Sequence, residues 1–179
     1  GLELELVEGD LRQPAGWSPR LAGCDTLFHL AAFYSIQPAD AQRLYAVNVG
    51  GAQAVLQAAA GAGVGCVVHT STIGVIGRPA DGSLPDEDTP FNLWRTGSNY
   101  VRSKWLGEAA ALWWHERGLP VGVVDPTGPL GAGDATPPAP GQLRGCGPVD
   151  HVAAGRDPGA APQPPLHPGG KRVSGRGDR

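Results

Sequence analysis

CDTLFHLAA, residues 24–32, is a nine-residue stretch with a nearly continuous apolar run, and how it is read decides the fold. So short a run, without polar alternation, is what a strand covered on both faces requires, and such strands belong to parallel sheets. Downstream, residues 39–62 are rich in Ala, Gln, Leu and Val and predict a helix that ends at Gly61-Ala62-Gly63, where glycine supplies a left-handed cap. VGCVVHTST (64–72) is the next β-branched run and predicts a strand, followed by the loop GRPADGSLPDEDTP (77–90). SNYVRSKWLGEAAALWWHERG (98–118) then predicts a helix with Ser98 as N-cap and Gly118 as stop. LPVGVVDP (119–126) is a last short strand, halted by Pro126. Upstream, LELELV (2–7) alternates with period two and predicts a half-buried strand. The order β, β, α, β, α, β implies an α/β protein with a parallel sheet and right-handed crossovers. Ligands of such sheets sit at the carboxyl ends of the strands, here residues 8–11, 29–33, 70–74 and 125–128.

The 179 residues and a hydrophobic fraction of 41% suit one domain. The formal net charge of −3, with basic residues clustering only at the very end, argues against nucleic acid and anionic membranes as partners. No apolar run approaches the roughly 18 residues of a membrane span. Three isolated cysteines, Cys24, Cys66 and Cys146, without metal-ligand spacing, predict a reducing, cytoplasmic setting and no metal site. The acidic start GLELELVEGD is no signal peptide, and a sequence without methionine predicts a natural N-terminus further upstream. Residues 1–140 hold 8 basic and 14 acidic side chains against 6 and 3 in residues 141–179, so the sign of the charge flips. Fifteen of those last 39 residues are Gly or Pro, which predicts a disordered, low-complexity tail over residues 143–179 behind a domain of residues 1–142.

Tyr100 and Lys104 stand four apart in a chain of three tyrosines and two lysines, which puts them on one helix face. An ammonium beside a phenol favours the phenolate, so the pair is expected to draw the tyrosine pKa down from about 10 and to exchange protons with a hydroxyl or carbonyl. The competing reading is two solvated surface side chains. Ser71 and Thr72 end the preceding strand, where a ligand oxygen would sit, although hydroxyl residues also end strands for turn chemistry alone. Asn48 lies inside the first long helix, where an amide has no capping task. A buried structural hydrogen bond is the plainer account of it.

Seven segments, EGDLRQP, CDTLFHLAA, NVGGAQAVLQAA, VVHTSTIGVIG, PDEDTP, NYVRSKWLGE and DPTGPLGAGD, occur in the order and approximate spacing of the extended short-chain dehydrogenases/reductases. The chain thereby resembles the NAD-dependent epimerase/dehydratase family, most of all its dihydroflavonol-reductase-like and hopanoid-associated sugar epimerase branch, over about residues 3–142. The resemblance implies a Rossmann-type doubly wound sheet and NAD or NADP as cofactor, with NAD preferred. It makes Tyr100 the catalytic tyrosine, Lys104 the lysine that holds the nicotinamide ribose, and Thr72 the hydroxyl that orients the substrate oxygen, with Ser71 as second choice and cofactor contact. It sets Asp10 and Leu11 at the adenine, His29, Leu30, Ala31 and Ala32 along ribose and diphosphate, Asn48 among the cofactor-binding residues, and Pro126 and Thr127 beside the nicotinamide. The implied reaction is hydride transfer at a carbinol or carbonyl carbon of a sugar nucleotide or dihydroflavonol-like substrate. A homodimer through the helices at about 39–62 and 98–117, with Leu112, Trp113 and Trp114 as contributors, is implied as well.

Three departures accompany the resemblance. The family's Gly-x-x-Gly-x-x-Gly turn, which cradles the cofactor diphosphate at a helix N-terminus, has no counterpart in this sequence. LELELV aligns with the family's third strand, so the sheet is partial, lacking the first two strands, and the chain taken alone is expected to be inactive. After Gln142 the similarity lapses. PLHPGG (165–170) matches what the family's closing motif could yield one base out of frame, so a frameshifted or internally deleted reading is expected, which sequencing the locus would check. Asp125 replaces the branch's usual asparagine and adds a charge. Two alternative functions stay open, a non-catalytic cofactor-binding or regulatory relative and a gene product with no function.

Overall fold

The computed structural model describes residues 4–128. The expectations for the tail at 143–179, and for the part of DPTGPLGAGD beyond Gly128, lie outside the described residues. Three parallel strands, β1 (Thr26–His29), β2 (Cys66–Thr70) and β3 (Val121–Val124), form a sheet in the order β1-β2-β3. Their register pairs His29 with His69 and Thr70 with Val124. All three fall inside the predicted runs, and their carboxyl ends finish side by side.

Helix α1 (Ala41–Tyr45) runs through a π-helical segment, Ala46–Gly51, into α2 (Ala52–Ala62). The predicted glycine stop is Gly63, whose φ of 70° is left-handed and whose N–H caps the helix. α2 buries Ala52, Val55, Leu56 and Ala59, the i, i+3, i+4, i+7 stripe of a core-facing helix. α3 (Asn99–His115) begins at the predicted cap, the Ser98 hydroxyl accepting from the Val101 N–H at 3.3 Å.

The core lies between one face of the sheet and the helices: Leu56 and Ala59 of α2, Ala111 of α3, Val67 of β2, and Val64 and Leu119 from the loops. Each of the leucines and valines among them contributes on the order of 1.5–3 kcal/mol by leaving water. Leu27, Val121 and Val123 pack on the same cluster from the sheet. The alternate residues point the other way, and Phe28 there is 66% exposed. The expectation that CDTLFHLAA is covered on both faces is therefore corrected among the described residues. Only every second residue of β1 meets a helix.

LELELV is a second correction. Residues 4–7 form no strand, and Leu4 and Leu6 are exposed at 80% and 95%. Alternation permits a strand, but ladder bonds make one, and no described strand lies alongside this segment to supply them. The following stretch does dock. Trp17 Nε1 donates to the Asp10 carbonyl at 2.8 Å, and Leu11 abuts Gly51, where an added Cβ would stand 2.9 Å from the leucine Cβ.

Candidate active site

The buried side of α3 is the feature from which the site is built. Its buried residues are Ser103, Lys104, Gly107, Glu108 and Ala111, spaced as one helical stripe but three-fifths polar. A helix that turns a hydroxyl, an ammonium and a carboxylate toward a sheet must meet polar partners there. The end of β2 supplies one for Lys104, and the facing π-helical segment supplies one for Ser103.

Asn48 fastens the first of these ends. A π turn widens the helix by one residue and turns the amide inward. Its Nδ2 donates to the Phe33 carbonyl at 2.9 Å and to the Ser103 hydroxyl at 3.0 Å, while its Oδ1 accepts from the Phe33 N–H at 2.7 Å. Ser103 in turn donates to the Tyr100 carbonyl at 2.7 Å. Gly107 lets this happen: a Cβ there would sit 2.6 Å from the Asn48 carbonyl oxygen, so α3 and the π segment are in backbone contact. The chain after β1 is thus tied to the helix that carries Tyr100. Asn48 has both amide protons and an oxygen lone pair committed within the protein, which accords with the structural reading of this residue.

Tyr34, from the same strand-end loop, lies edge-on to Tyr100 with ring centroids 4.8 Å apart. Burial, and then the neighbouring Tyr34 phenol, push the Tyr100 pKa up from its usual value. That reverses the expected direction. The cause is where Lys104 points: its Nζ donates to the Thr70 carbonyl at 2.6 Å, at the end of β2. Burial pulls the Lys104 pKa down, opposed by the charges of Glu108 and then Asp125. An ammonium has three donors, so the Thr70 bond leaves two for a ligand.

After Thr70, Ser71 is buried with no hydrogen-bond partner for its hydroxyl, and its N–H donates to the Val124 carbonyl at 2.8 Å. Thr72 caps a short turn, Ile73–Val75, accepting from the Gly74 N–H at 3.3 Å, and Gly74 packs against Val101, the neighbour of Tyr100. Pro126 accepts from the Ile73 N–H at 3.2 Å, and Thr127 follows it, exposed. Leu30, Ala31 and Ala32 lie exposed just past β1. The loop after β1 thus meets Tyr100 through Tyr34, the loop after β2 meets its neighbour Val101, and the residue after β3 bonds to Ile73. The Asp10 carboxylate is taken by the Arg12 side chain and N–H, which draw its pKa down to about 2.

Of the two histidines at this junction, His29 was expected along the cofactor and is instead buried at the end of β1, while His69 was not singled out from the sequence. His29 and His69, register partners on β1 and β2, face each other with ring centroids 5.1 Å apart, both under 10% exposed. Burial, and then the Lys104 charge, hold the pKa of His29 down at about 4; burial, then the charge of His29 and then that of Lys104, hold that of His69 at about 3. Both rings are neutral when folded and titrate near 6.5 when unfolded, so the unfolded chain binds more protons between those limits. Stability is accordingly at its full value above pH 6.5 and is lost as pH falls toward 4 and 3. Thermal unfolding followed by circular dichroism is expected to show Tm dropping from pH 7 to pH 5, and His69→Phe to flatten that drop. His69, two residues before the Ser71-Thr72 pair and the register partner of His29, was the signal that a register-based reading could have used.

The model of the NAD dependent epimerase/dehydratase family matches residues 2–144. Sterol demethylase protein B of Methylococcus capsulatus is 37% identical over 137 residues, which cover 76% of this chain and 42% of that protein. A Synechocystis protein described as a dihydroflavonol 4-reductase is 34% identical over 139 residues, covering 78% of this chain and 39% of its own. Among solved structures, DesIV, a dTDP-glucose 4,6-dehydratase from Streptomyces venezuelae with NAD and TYD bound, superposes with a TM-score of 0.57 at 36% identity, covering 64% of this chain and 35% of its own. The chain spans about two-fifths of the length of the curated relatives it matches. It belongs to the NAD-dependent epimerase/dehydratase family, within the extended short-chain dehydrogenases/reductases.

Proposed function

We propose that this chain is the part of an NAD(P)-dependent oxidoreductase or epimerase that carries the proton-handling residues, acting at a carbinol or carbonyl carbon of a sugar nucleotide or a dihydroflavonol-like compound. One observation supports the reading: Lys104 docks on the Thr70 carbonyl at the end of β2, immediately before Ser71 and Thr72, with Tyr100 one turn before it on α3, at the edge where open α/β sheets take their ligands. Tyr100 is the proton donor and acceptor, Thr72 with Ser71 orients the substrate oxygen, and Lys104 reaches the ribose with the donors that Thr70 leaves free. Asn48 acts on the cofactor side by fixing the loop at Phe33, and the backbone at Pro126 and Thr127 borders the ring.

The residues fit the nicotinamide–ribose end of the cofactor. The buried, unpartnered Ser71 hydroxyl is a polar group with a bond still to make. They do not provide a diphosphate cradle, because no glycine turn between strand and helix occurs in the sequence. NAD, preferred here over NADP, supplies or accepts the hydride when bound. Because burial keeps Tyr100 protonated at neutral pH, the arrangement is poised to give a proton to a carbonyl oxygen, the reducing direction. Alcohol oxidation needs the phenolate, so its rate rises with pH toward the raised Tyr100 pKa.

The chain by itself is proposed to be inactive, since it has no seat for the diphosphate. A homodimer is proposed through the outer faces of the helices, where Val49, Gln53, Leu106 and Trp113 line a groove of about 460 Å³ between α3 and the π segment with α2. No helix among the described residues is long and apolar enough to cross a membrane, and the free Cys24 and Cys66 support a cytoplasmic setting. The test is hydride transfer from NADH, followed by absorbance, in a protein that joins this chain to a family glycine-turn half. Tyr100→Phe abolishing turnover with NAD binding retained supports the reading, and unchanged turnover refutes it.

A further inference from the structure

Three elements end at the Lys104 ammonium. Its Nζ docks on the Thr70 carbonyl of β2. Thr70 is the register partner of Val124, and the Ser71 N–H closes on the Val124 carbonyl, so the next residue of that strand end, Asp125, lies beside the step where the ammonium sits. Glu108 follows Lys104 by one turn on the same buried stripe of α3. Facing Lys104 from the sheet are His29 of β1 and His69 of β2, both kept neutral by burial, and Tyr100 precedes it by one turn on α3 with Tyr34 against its ring. Among the described residues, Glu108 and Asp125 are the carboxylates whose charges act on Lys104, whereas the facing histidines and Tyr100 are neutral. The attraction of both opposes the burial that would discharge the lysine, Glu108 being the stronger.

We propose that Glu108 and Asp125 form an anionic seat for Lys104, Asp125 being the positioning residue that draws the ammonium to the strand ends. The proposal rests on the reading of Lys104 as the ribose-holding group. It gives Asp125, at the end of β3, a task of its own. Glu108 alone would draw the ammonium along the helix; the second carboxylate pulls it across to β2 and β3, where a ligand would lie.

The sequence contains one other lysine, Lys171, so competitive labelling of the whole 179-residue chain with trace acetic anhydride across pH, read by mass spectrometry, has an internal reference. Removing the charge with Asp125→Asn is expected to move the Lys104 profile to lower pH, so that on its rising limb Lys104 labels roughly threefold more than in the unaltered chain. Asp125→Glu is expected to restore the original profile. An Asn variant that superimposes on the unaltered chain overturns the seat, as does a Glu variant that shifts as far as the Asn one. Should Asp125→Asn lose its native circular-dichroism signal, Glu108→Gln is read instead, a shift supporting the proposal and an unmoved profile overturning it. The readout needs neither cofactor nor turnover, so it fails independently of the hydride-transfer reading.

Discussion

Tyr100→Phe is expected to lower hydride transfer by about 10²–10⁴-fold, in a protein that supplies this chain with the glycine turn its family carries, while leaving the affinity for NAD within about twofold. The ring of Tyr100 meets Tyr34 and its backbone carbonyl meets Ser103. Phenylalanine keeps both contacts, so the expected loss is confined to the hydroxyl that moves the proton. Stopped-flow absorbance of NADH and calorimetric titration of NAD separate the two quantities. The pH dependence adds a second check. Because the phenol is protonated until well into the alkaline range, carbonyl reduction should hold level through neutral pH and fall only as Tyr100 ionises, with alcohol oxidation rising over the same interval. A hydroxyl that served only to fill space would leave both limbs flat.

The other large effect concerns stability and needs no cofactor. Asn48→Ala is expected to cost about 3 kcal/mol in unfolding free energy, because it strips the Phe33 N–H, the Phe33 carbonyl and the Ser103 hydroxyl of a partner at once. Domains of this kind are stable by only about 5–15 kcal/mol, so the loss is a substantial part of the whole. Urea unfolding should show a lower midpoint at an unchanged slope. Because Phe33 and Tyr34 share a loop, the variant should also loosen Tyr34 from Tyr100 and weaken the near-ultraviolet tyrosine signal. A change below about 0.5 kcal/mol would mean that water replaces the amide and that the π turn serves some other purpose.

Much of the architecture was legible in the residues. The runs at 24–32, 64–72 and 119–126 contain the three described strands, and Ser98 and Gly63 cap the helices as read, since these signals act over a few residues and need no distant partner. LELELV failed for the complementary reason. Alternation is a local property, but a strand exists only where a neighbour offers its ladder bonds, and none of the described strands flanks residues 4–7.

Within the site, spacing alone placed Tyr100 and Lys104 on one helix, and chain order placed Ser71 and Thr72 at a strand end beside it. What the sequence by itself determined is therefore membership: the family and the parallel sheet. Which groups act on which was settled only by the tertiary structure. Helical spacing says that an ammonium lies one turn from a phenol, but a lysine has four methylene groups on which to turn, and the strand ends decide where it goes. Here Thr70, Glu108 and Asp125 draw Lys104 toward the sheet, so burial, with Tyr34, and not the lysine, sets the ionisation of Tyr100. Electrostatic partners are chosen across elements, at distances that the order of residues along a chain does not encode.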